Sequence, residues 1–138
     1  MKVENKDIII TDPCYIIRAD RDEDWRNCGC GDHMEIFGIT NYFTEDTIYG
    51  DWSCTVYKDN GKVLGQFCAD SGQVSCFMLD EVRAYNPNID LWIEGHLWCV
   101  TKIPNFTGEV YTEYNADKDC LSVIGKGSIN FHSLQTGL

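Results

Sequence analysis

Trp52-Ser53-Cys54-Thr55-Val56-Tyr57-Lys58, then Asp59-Asn60-Gly61, then Lys62-Val63-Leu64-Gly65-Gln66-Phe67-Cys68-Ala69: two strand-like runs flank an Asn-Gly pair. Asn-Gly supplies the positive φ that a tight hairpin turn requires, so these residues predict an antiparallel β-hairpin. Working outward, Asp70-Ser71-Gly72-Gln73 reads as a second turn leading into a strand over 74–79. Asp80 to Tyr85 predicts a short helix with Asp80 as its N-cap and Pro87 beyond its end. Residues 91–103 read as strand interrupted by Gly95, and 108–114, 120–124 and 128–134 as further short strands. The turn at 115–119 joins the first two of these.

Toward the N-terminus, residues 34–49 are apolar with mixed periodicity and read as strand containing a turn near Asn41 or Thr44. Residues 18–33 are polar and glycine-punctuated, a loop with one helical turn around Asp22 to Arg26. Residues 7–17 read as a strand that ends near Asp12-Pro13, because proline cannot donate to a ladder. The expected fold is mainly β, a β-rich α+β domain. It is read as an antiparallel sandwich or open barrel with one or two short helices, spanning 1–138 as one domain.

Twenty-two acidic against eleven basic side chains give a net charge of −11 over 138 residues. That field repels phosphate backbones and anionic membrane surfaces, and the basic stripe of a nucleic-acid binder is missing. The suitable partner is a host protein with a basic surface. The charged start and the short apolar run Ile8-Ile9-Ile10 predict neither a signal peptide nor a membrane anchor. A cytoplasmic location, in a bacterial host cell, is expected. Two acidic stretches are candidate partner contacts: Asp20, Asp22, Glu23 and Asp24 with Trp25 as anchor, and Glu45 with Asp46. Asp20-x-Asp22-x-Asp24 alternates like a calcium loop. Trp25 stands where an EF-hand needs Gly, however, and Gly31 stands where it needs Glu.

Of the eight cysteines, Cys54, Cys68, Cys76, Cys99 and Cys120 lie in apolar runs and read as buried thiols. Cys28-Gly29-Cys30 with His33 could converge on one ion, with Cys14 as a fourth ligand, giving a zinc-stabilised interaction module. One residue between the cysteines departs from the usual zinc spacing of two to four. No cofactor other than that zinc is expected.

Two short motifs remain. Asp12-Pro13-Cys14-Tyr15 and Asp70-Ser71-Gly72-Gln73 each set an acid beside a nucleophile type. With Asp51 they could line one pocket of a small-ligand binder or hydrolase; the alternative is that both are turns. Together, in this order, they resemble the markers of a group of small, functionally uncharacterised proteins of bacteriophages and bacterial mobile elements. The likeness covers chiefly residues 8–17 and 64–80, with Gly50-Asp51-Trp52 as a third point. It implies a phage or bacterial setting and a β-rich fold, and it implies no reaction. Small size, acidity and the lack of a coherent catalytic set then favour a non-enzymatic phage-type binding protein. Such a protein would be a counter-defence inhibitor, anti-CRISPR-like in size and charge, occupying a basic surface of a host factor.

Overall fold

A computed structural model describes residues 1–18, 20–27, 31–47, 52–117 and 119–136. The strands are β1 (Lys2–Thr11), β2 (Tyr42–Asp46), β3 (Ser53–Lys58), β4 (Val63–Cys68), β5 (Gln73–Met78), β6 (Val100–Asn115), β7 (Cys120–Gly127) and β8 (Phe131–Thr136). The helices are α1 (Asp22–Asn27), α2 (Leu79–Tyr85) and α3 (Ile89–Gly95), with 3-10 turns at Pro13–Ile16 and Met34–Phe37. The Asn-Gly hairpin is present. β3 and β4 pair antiparallel with Cys54 opposite Phe67, and Gly61 takes φ +86° as the turn requires.

All described strands lie in one antiparallel sheet ordered β2-β5-β1-β6-β7-β8-β3-β4. The sheet curls rather than stacking into a sandwich. The device is β6, 16 residues long, whose first half pairs with β1 and whose second half pairs with β7. Pro104 and Asn105, the latter at φ +51°, form a bulge within the part paired with β1, where the register shifts between Lys6 and Ile8, and the change of partner comes at Gly108 and Glu109. The far edge, β4, thereby returns against the start of β6, where Thr101 Oγ1 donates to the Gln66 carbonyl at 2.8 Å and Cys68 N–H to the Cys99 carbonyl at 3.4 Å. The result is an open barrel.

Consecutive isoleucines explain the two-layered core. Alternate strand residues face opposite ways. Ile8 and Ile10 enter the curl with Val56, Phe67, Cys76, Phe106 and Phe131. Ile9 faces the other way, packing with Phe77 and Val100 under Ile16, Met34, Leu79, Val82, Ile89 and Ile93 of the helical layer. A strand buried on both faces reads as a continuous apolar run, which residues 8–10 are.

Several expectations need correction. Residues 89–95 are helix, not strand, because Ile89 and Ile93 repeat at i, i+4 and both are buried beneath the sheet. The described residues therefore include three short α-helices, and the strand after α3 starts at Val100. Asp80 is not an N-cap. α2 begins at Leu79 after Met78 without a side-chain cap, while Asp80 binds Lys6 Nζ at 2.7 Å. Residues 34–37 form a 3-10 turn closed by Gly38, and among the described residues of that region the strand is Tyr42–Asp46.

Candidate functional site

The two sequence motifs meet. Asp12 follows the last residue of β1, and its carboxylate is completely buried. Its Oδ1 accepts from the Cys14 backbone N–H at 2.9 Å, capping the Pro13–Ile16 turn. Its Oδ2 accepts from the Ser71 backbone N–H at 2.7 Å, and the Ser71 hydroxyl lies 2.6 and 2.8 Å from the two oxygens. A carboxylate is acceptor-only, so donors from both motifs satisfy it without any cation. No ion pair among the described residues includes Asp12. Pro13 at the first helical position needs no hydrogen-bond partner of its own.

Chemically this joint is a clamp. The Ser71 hydroxyl and the N–H of the same residue are both held by Asp12, which locks the loop rather than presenting a free nucleophile. The histidines that could serve as base are engaged elsewhere. His96 Nδ1 bonds the Trp92 carbonyl at 2.6 Å, His33 lies against Glu35, and His132 packs on Tyr57. The Cys14 thiol is raised far above its ordinary pKa, first by burial and then by the charge of Asp12, so its nucleophilic thiolate is suppressed. Asp70 is exposed and reaches both Cys14 and Cys99 electrostatically. Asp51, the remaining member of the expected pocket, lies outside the described residues.

Beside the clamp runs a row of rings absent from the sequence reading. Tyr15, from the first motif, stacks on Trp92 at 5.3 Å, Trp92 on His96 at 4.4 Å, and His96 leans toward Trp98 at 6.3 Å. The turn carrying Trp98 is tied to the motifs' own strands. Thr11 Oγ1 donates to the Cys99 carbonyl at 3.1 Å and Cys68 Sγ to the Trp98 carbonyl at 3.5 Å. Three large apolar side chains here face solvent: Leu91 at 74%, Leu97 at 59% and Trp98 at 56% of full exposure. The available signal was the i, i+4 spacing of Trp92 and His96, which strand parity concealed. A cleft of about 360 Å³ opens at the other end of the row, between Tyr15, Arg18, Asn88 and Trp92.

The first predicted acidic patch is largely self-neutralised. Arg18 grips Asp20 at 2.7 and 3.0 Å, and Arg21 lies 3.6 Å from Glu23 and 3.7 Å from Asp24. Asp24 is buried and accepts from Tyr85 Oη at 2.7 Å, so it holds α1 to α2 and is no surface contact. Asp22 stays exposed; the Trp25 side chain lies outside the described residues. Glu45 and Asp46 are exposed at the sheet's edge strand, and Asp46 accepts from Gln73 Nε2 at 3.1 Å. Cys28 and Cys30 also lie outside the described residues, and among the described residues no three acid, cysteine or histidine side chains gather as a metal site. The five thiols read as buried are buried and free.

The fold and site together define an open-barrel β domain whose motif strands hold a turn with exposed apolar side chains. Comparison with protein-family models, curated proteins and solved structures returns no match.

Proposed function

We infer that this chain is a non-catalytic binding module that docks on a basic protein surface through the apolar turn after α3. The observation that carries the reading is the exposure of Leu91, Leu97 and Trp98 within eight residues of an otherwise strongly acidic chain. Apolar anchors surrounded by charge are the usual anatomy of a protein-binding hot spot. Exposed Glu94 and Asp70 supply negative charge beside these anchors. A net charge of −11 selects a basic partner over a second copy of the same chain.

The motif pocket supports catalysis less well, since its carboxylate is saturated by the chain's own donors. In the phage setting that the motifs suggest, the partner is a host factor with a basic nucleic-acid-binding surface, and docking inhibits it.

The experiment compares wild type with Trp98→Ala and Leu97→Ala in cross-linked capture from host lysate, at low and moderate salt. Both variants should fold and should lose the specifically captured partner. Capture unchanged by either substitution, or no specific partner at any salt, would overturn the reading.

A further inference from the structure

β2 is the terminal strand of the sheet, and its pairing shows which of its backbone groups are unspent. Its partner is β5, with Tyr42 opposite Phe77, Glu45 opposite Val74 and Asp46 opposite Gln73. One step further along, Thr47 N–H donates to the Gly72 carbonyl at 2.7 Å. Antiparallel pairs alternate between bonded and non-bonded. The bonded pairs are therefore those of Glu45 and Phe43, and Tyr42, Thr44 and Asp46 turn their N–H and C=O groups away from the sheet. Among the described residues no backbone hydrogen bond reaches that outer side. A run of about 14 Å of strand edge is thus available for pairing.

The side chains along this edge specify what would pair. Cross-strand neighbours interact directly, and opposite charges there are favourable. Glu45 and Asp46 are exposed and enter no ion pair among the described residues, while Phe43 packs against the core inside the curl and Tyr42 against the helical layer. An antiparallel strand would place two consecutive basic residues opposite Asp46 and Glu45. β-branched or aromatic residues opposite Thr44, Phe43 and Tyr42 would follow. The same two acids, with the net charge of −11, discourage pairing with another copy of this chain.

We propose that β2 is a strand-addition site for an extended basic segment of a partner protein, with two adjacent Lys or Arg residues followed by β-formers. The partner chemistry is the one inferred above, but the site is a different element, and backbone pairing rather than an apolar anchor makes the contact.

The test uses a synthetic peptide containing Lys-Arg-Thr-Val-Tyr between short neutral flanks. Its controls carry Glu-Glu in place of Lys-Arg, or the same side chains with N-methyl groups on alternate residues. Saturable binding is expected, with slowed amide exchange at Tyr42, Thr44 and Asp46. The Glu-Glu and N-methylated peptides, and the double variant Glu45→Lys with Asp46→Lys, should each weaken binding at least tenfold. Trp98→Ala should bind the peptide as wild type does, so either reading can fail without the other. Absence of binding, undiminished binding of the N-methylated peptide, or a β2-mediated dimer of the protein would each refute strand addition.

Discussion

Asp12 shows how one side chain can join two distant motifs. A buried carboxylate is tolerated only when its oxygens are satisfied, and here the donors come from residues 14 and 71. Asp12→Ala leaves two backbone N–H groups without their acceptor and is expected to cost about 3 kcal/mol, read from urea unfolding. Ser71→Ala removes only the hydroxyl and is expected to cost about 1 kcal/mol. Equal losses for the two would contradict the clamp. The thiols offer a second prediction at this scale. Burial is the main cause that pushes Cys76 and Cys99 up to about 12. An unfolded thiol ionises near about 8.5, so above that pH the folded chain binds more protons than the unfolded one. The stability these thiols provide is whole below about pH 8.5 and falls as pH rises toward 12. Urea midpoints taken between about pH 7.5 and 10.5 should decline, and Cys76→Ser should flatten that decline.

At the scale of elements, the most instructive difference is α3. Residues 91–103 contain enough β-formers to resemble a strand, yet Ile89 and Ile93 fit one helical face onto the sheet. Tertiary packing overrode local propensity there. The β7–β8 pair is the opposite case, where local composition foretells strand and packing adds a constraint. A Cβ on Gly125 would overlap the ring of Phe131, its cross-strand partner. Gly125→Ala is expected to lower stability by about 2 kcal/mol, measurable by thermal or urea unfolding, through overpacking of the curl. Phe131→Leu in the same background should recover part of that loss if ring overlap is the cause.

For the whole molecule, the distribution of charge matters more than its total. Arg18 and Arg21 neutralise much of the α1 patch, whereas Glu45, Asp46, Glu94 and Asp70 enter no ion pair among the described residues. Association with a basic partner should therefore slow as salt rises from about 50 to 500 mM, because screening shortens the reach of exposed charges. Stopped-flow rates that ignore salt would separate docking from charge.

The residues alone determined the β-rich class, the Asn-Gly hairpin, the buried thiols and the acidity. Each depends on local steric preference, on apolar composition or on simple charge counting. Only the tertiary structure decided that the sheet curls, that 89–95 coils, and that Asp12 reaches Ser71. The same holds for the exposure of Trp98 and for the outward-facing groups of β2. Those outcomes depend on which distant surfaces compete for burial and for hydrogen bonds, and no local window of sequence contains that competition.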